Sequence, residues 1–200
     1  MKRSLPLGLA FLLACSSDAT ETADGGALDG AVTQDASADG GASDATPGPF
    51  VLSSPVLAEG ATFAKDNTCD GTDVSPELTW SAGPAGTKSY ALVLTDKSNA
   101  LIHAAAYDIP ASSQGLPANV EKKYDPATPA GMKQAQSFRN AFGYAGPCPG
   151  TEHTYEFALY ALDVDALPGA TMTSTRAQVE TLAKAHQLGV ARLTGKYKKL

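Results

Sequence analysis

Residues 143–162 read GYAGPCPGTEHTYEFALYAL, and this stretch decides the fold. In its first half Gly143, Gly146, Pro147, Pro149 and Gly150 punctuate the backbone too densely for helix or ladder strand. In its second half His153, Tyr155, Phe157 and Leu159 alternate with Thr154, Glu156, Ala158 and Tyr160. That period of two, rich in aromatics, predicts a strand. A stiff loop therefore feeds a strand whose first steps set His153 and Tyr155 on one face. An imidazole and a phenol beside glycine turns with free backbone N–H groups make a candidate pocket for a small anion.

Strands dominate on either side of this stretch. Phe50-Val51-Leu52 opens a strand after Pro49, and Leu78 and Trp80 alternate with Glu77 and Thr79. Trp80, the only tryptophan, reads as a core residue. Lys88–Thr95 (KSYALVLT) is a second clear strand, broken by Asp96-Lys97-Ser98-Asn99. Leu101–Ile109 (LIHAAAYDI) follows and is ended by Pro110. Asp96 and His103 thus flank a short connection, and a pairing between them is expected. Residues 111–142 are polar and irregular, which in a compact domain points to function. They offer Tyr124, Phe138, Arg139 and Asn140 as possible borders of the pocket.

Near the end, Thr175–Leu193 reads as a helix. Val179, Leu182, Ala183, His186, Val190 and Leu193 fall on one face. Thr175 with Gln178 makes a capping box. His186 sits in the apolar stripe as a packing histidine. Many strands and one late helix predict a mainly β fold, an antiparallel β-sandwich with Greek-key connections and a C-terminal helix packed on it.

The charge is unevenly spread. Seven of the 21 acids lie in residues 16–48, where there is no Lys or Arg. Residues 49–200 keep 14 acids and 13 bases and are close to neutral. No basic stripe marks a nucleic-acid partner. Residues 16–49 are almost all Ala, Gly, Ser, Thr and Asp, with only Leu28 and Val32 as sizeable apolar residues. Such a segment cannot offset the entropy of ordering and reads as an acidic, disordered tether. At this length a flexible chain spans about 30 Å. Before it, Lys2 and Arg3 precede the short apolar run Leu5–Leu13, a targeting segment rather than a bilayer span. The run ends in Leu12-Leu13-Ala14-Cys15, which resembles a bacterial lipobox with Cys15 as the lipidated residue. Residues 1–15 are thus expected to be a lipoprotein signal peptide, 16–49 a tether and 50–200 the folded domain. Ser16 and Ser17 after the cysteine point to the outer membrane of a cell envelope.

With Cys15 lipidated, Cys69 and Cys148 remain, both in turn-rich loops. In an exported domain such a pair is expected to form a disulfide. Closing a loop of about 80 residues contributes roughly 4–5 kcal/mol in the chain-entropy account. The alternative is a metal pair completed by His153.

These segments together resemble the phosphatidylethanolamine-binding protein family, and within it the bacterial Raf kinase inhibitor-like group. The resemblance rests on DGTDVSPELTW, KSYALVLTD, IHAAAYDIP, GYAGPCPGTEHTYEFALYALD and HQLGVARLTGKY, in order across residues 50–200. It implies a Greek-key sandwich and a pocket for phosphate-like and other small anions. Carried over by position, it implies ligand-binding roles for Asp96, His103, Pro149, His153 and Tyr155. The chain departs from the pattern at Ser98 and Asn99, at Ala104 and at Thr151.

Three functions compete. The first is a membrane-tethered, non-catalytic module for a small anionic ligand, a phospholipid headgroup among the options, needing no cofactor or metal. The second, which the group name suggests, is inhibition of a protein target, a protease or a kinase. The third is acid–base or metal-assisted catalysis by Asp96, His103 and His153. HExxH, Gly-x-Ser-x-Gly and phosphate-loop motifs are absent from the sequence, which ranks catalysis last.

Overall fold

The computed structural model describes residues 48–200. The leader, Cys15 and nearly all of the acidic tether lie outside the described residues. Nine strands and one helix follow in order: β1 (Leu52–Ser53), β2 (Ala61–Thr62), β3 (Leu78–Trp80), β4 (Ser89–Asp96), β5 (Leu101–Pro110), β6 (Gly115–Leu116), β7 (Lys133–Gln134), β8 (His153–Leu162), α1 (Arg176–Ala185) and β9 (Gln187–Tyr197). They form a three-stranded sheet, β1-β3-β6, and a six-stranded sheet, β2-β9-β8-β4-β5-β7. In the large sheet β4, β5 and β7 lie side by side in chain order, and β8 returns to the far side of β4. That return is the Greek-key step. All strand pairs are antiparallel except β2 with β9, which run parallel at the sheet edge.

Alternation along the central strands divides the interior in two. Leu92 and Leu94 of β4 and Phe157 and Leu159 of β8 pack with Leu78 and Trp80, between the sheets. Ala91, Val93, Ala158 and Tyr160 point the other way, against Val179 and Ala183 of α1. The large sheet is therefore covered on both faces. This is why β4 reads as a nearly continuous apolar run. Each large side chain buried here contributes about 1.5–3 kcal/mol.

The helix is shorter than its sequence pattern suggests. It begins as expected: the Thr175 N–H donates to Gln178 Oε1 at 2.8 Å, and the Gln178 N–H donates to Thr175 Oγ1 at 3.2 Å. It stops at Ala185, and residues 187–197 pair along the whole edge of β8. Val190 and Leu193 satisfy a helical period and a strand period alike. Gly189 weakens the first, and the open edge of β8 selects the second. His186 consequently leaves the apolar stripe. It caps the helix and its Nδ1 meets Asp163 Oδ1 at 3.0 Å on the surface.

Candidate functional site

The C-terminal end of β4, the start of β5 and the start of β8 lie together at one end of the large sheet. Register explains it. Asp96 pairs with Leu101 of β5 on one side and with Tyr155 of β8 on the other. The loop of residues 143–150 covers this end and is held from several directions. Cys69 and Cys148 form a disulfide with Cα atoms 5.3 Å apart. The Cys69 N–H donates to the Pro147 carbonyl at 3.1 Å, and the Lys199 N–H to the Pro149 carbonyl at 2.9 Å. The Gly146 N–H donates to Asp73 Oδ1 at 2.7 Å. A Cβ on Gly146 would strike the Asn67 carbonyl, so only glycine allows this approach. With their sulfurs bonded to each other, Cys69 and Cys148 are not the metal pair that remained open from the sequence.

Between loop and strands lies an open hollow of about 320 Å³. Asp96, His103, Pro149, His153 and Tyr155 all line it, with Cys148, Asn99 and Leu101. From residues 111–142, which hold the short strands β6 and β7 rather than being irregular throughout, Phe138 and Arg139 reach it. Tyr124 and Asn140 do not. Tyr124 packs on Phe142 at 5.8 Å, and Asn140 faces a separate surface cleft beside the start of α1.

The pairing of Asp96 differs from the sequence expectation. Its Oδ2 lies 2.7 Å from Nδ1 of His153, not from His103, and its Oδ1 accepts the Ser98 N–H at 2.9 Å. The reason is the strand register, which brings the start of β8 beside the end of β4. Asp96 is 2% exposed with both oxygens engaged, so it acts on the hollow by orienting His153. His153 keeps its other ring nitrogen, Nε2, for the hollow.

His103 stands under different conditions. Its Nδ1 is 3.0 Å from the Ala145 carbonyl. A carbonyl only accepts, so Nδ1 carries the proton. The ring is 3% exposed and packs on Phe138 at 4.5 Å and on Tyr155 at 5.2 Å. Burial lowers its pKa, outweighing the Ala145 hydrogen bond and the Asp96 charge, and so favours the neutral imidazole. Burial first, then the Asp96 carboxylate, raise the pKa of the Tyr155 phenol, which stays protonated.

Arg139 supplies a permanent charge. Its Nη1 lies 3.1 Å from Asp73 Oδ2, its Nη2 donates to the Gly146 carbonyl at 3.3 Å, and its guanidinium sits 5.0 Å from the Phe138 ring centre. Asp73 also takes Lys122 Nζ at 2.9 Å. One carboxylate thus serves two cations. The sequence named Arg139 only as a border residue. Its partner lies 66 residues away, and nothing local links the two.

A profile of the phosphatidylethanolamine-binding proteins matches residues 53–198. The chain belongs to that family. Among relatives of the family, a UPF0098 protein of Methanothermobacter thermautotrophicus is 38% identical over 138 residues, covering 66% of this chain and 87% of its own. A Mycobacterium tuberculosis protein named putative lipoprotein LppC is 36% identical over 158 residues, covering 74% of this chain and 72% of its own. The crystal structure of Escherichia coli YbcL, described as a new member of the mammalian PEBP family, superposes with a TM-score of 0.70. It is 26% identical and covers 76% of this chain and all of YbcL. A family homologue from Chlamydia trachomatis, CT736, gives a TM-score of 0.64 at 26% identity.

Proposed function

We propose that this family member is an envelope-tethered, non-catalytic binding protein whose hollow takes a small oxyanion of the phosphate or carboxylate type. What supports the reading is the convergence of the Asp96–His153 pair and the Arg139 guanidinium on one hollow. With Asp96 holding Nδ1, His153 keeps Nε2 for the ligand. Arg139 adds charge at every pH, and Tyr155 adds a hydroxyl. Charge-assisted hydrogen bonds of this sort net about 1.5–3 kcal/mol each. The lining brings no serine, threonine or free thiol to serve as a nucleophile. A membrane anchor at Cys15, followed by an acidic spacer and the folded domain, fits the LppC relative's name. In this reading Ser16 and Ser17 direct the anchor to the outer membrane.

Calorimetric titration with inorganic phosphate tests the pocket. Wild type should bind and His153→Ala should lose tenfold or more in affinity. Equal affinity in the two proteins would contradict the reading. Palmitate labelling that survives Cys15→Ala would contradict the anchor.

A further inference from the structure

Residues 136–140 border two separate depressions. Phe138 and Arg139 line the hollow, whereas Gln136 and Asn140 line a cleft of about 460 Å³ whose other wall is residues 172–176. That volume suits a small organic molecule. The cleft shares no lining residue with the hollow.

Its only charged group is Arg176, and no Asp or Glu lines it. The guanidinium is half-buried and fixed in place. Its Nε donates to the Ile102 carbonyl at 2.7 Å and its Nη1 to the Gln136 carbonyl at 2.6 Å. Both partners are neutral, so the full positive charge remains. Burial lowers the pKa of Arg176, and no carboxylate lies near enough to offset it. Its Nη2 has no hydrogen-bond partner among the described residues. The end of the helix is not the source of this charge, because Thr175 and Gln178 already close it.

The rest of the lining is amide and apolar. The side-chain amides of Gln136 and Asn140 have no partner among the described residues, and each offers an N–H and a C=O. A peptide group offers the complementary C=O and N–H. Phe142 is half-buried and Met172 is 55% exposed, so both leave apolar surface for a ligand. Methionine adapts its shape to what it meets.

We propose that this cleft binds an acylated amino acid with a free carboxylate and an apolar side chain, either as a small molecule or as the end of a peptide. The carboxylate accepts from Arg176 Nη2. The peptide group next to it pairs with the Asn140 or Gln136 amide, and the apolar side chain lies on Phe142 and Met172. No bond is made or broken. An amine or a metal cation is repelled by Arg176, and an inorganic anion leaves the apolar surface bare.

The inference stands apart from the oxyanion reading of the hollow. The test is amide NMR of the full chain, titrated with N-acetylphenylalanine, the tripeptide Ala-Ala-Phe and N-acetylphenylalanine amide. The two carboxylates should shift the backbone amides of Gln136, Asn140 and Arg176 and leave those of Ser98 and His153 in place. The uncharged amide should bind about tenfold more weakly or worse, since it lacks the charge that Arg176 meets. Arg176→Gln should cost the acid about tenfold and the amide little. Asn140→Gly, which suits the positive φ of 61° at that position, should weaken the acid about two- to fivefold. If Arg176→Gln does not fold, the acid and amide pair decides on wild type alone. Tighter binding of the tripeptide than of N-acetylphenylalanine assigns the cleft to peptide ends, and the reverse assigns it to small acyl amino acids. Equal binding of acid and amide, shifts confined to the hollow, or no binding of either carboxylate overturns the proposal.

Discussion

The ends of β5 and β8 each offer one histidine to the same hollow, and the two are chemically opposite. His153 meets a carboxylate at 2.7 Å, and His103 meets a carbonyl at 3.0 Å. A carboxylate supplies the His153 ring with a countercharge at Nδ1. A carbonyl takes one proton and offers no countercharge, so buried His103 is built to accept. The partner on the far nitrogen sets the role, and the residue type alone does not.

Removing the carboxylate should have the largest effect. Asp96→Ala strips His153 of its partner and the Ser98 N–H of its acceptor. It should cost about 2–3 kcal/mol in denaturant unfolding, with phosphate binding lost as well. A variant of wild-type stability would mean that the pair does not organise this end of the sheet.

The next contrast is in pH. Folding lowers the pKa of His103, so below about 6.5 the unfolded chain takes up a proton that the folded chain refuses. Stability should therefore fall as the solution is acidified from there, and rise with pH across that window. The slope attributable to one proton is at most about 1.4 kcal/mol per pH unit. His103→Gln, which can still donate to the Ala145 carbonyl, should remove that part of the slope. An unchanged slope would contradict a buried neutral ring.

The strands and the hollow were legible in the sequence to different degrees. β8 was readable because ten residues alternate cleanly, and β4 because its apolar run is bounded by Lys88 and Asp96. β2, β6 and β7 span two residues each, too few to carry a period. The helix was read eight residues too long because Val190 and Leu193 fit both periods, and only the open edge of β8 separates them. The five residues singled out as ligand-binding come from three segments, and their gathering followed from the family resemblance. Which histidine Asp96 holds did not follow, because nearness in sequence favoured His103 while strand register favours His153. The weight of Arg139 was hidden for a similar reason: its anchor, Asp73, belongs to a distant turn.

Smaller effects sharpen the same contrast. His153→Ala should cost about 1–2 kcal/mol, because it leaves the buried Asp96 Oδ2 without its partner, and cut phosphate affinity as well. Arg139→Gln should weaken phosphate binding about three- to tenfold, and equally at pH 6 and pH 8, since a guanidinium does not titrate there. A loss confined to one pH would assign the fixed charge to another group.

The most direct measurement is the ring-nitrogen NMR spectrum of both histidines at pH 6, with and without phosphate. The account predicts that His103 is a neutral Nδ1–H tautomer in both spectra, with its Nε2 shifted by a new hydrogen bond when phosphate is added. It predicts that the His153 Nε2 resonance also moves when phosphate is added, while Nδ1 keeps its hydrogen bond to Asp96. A charged His103, or phosphate binding that moves neither ring, would contradict it.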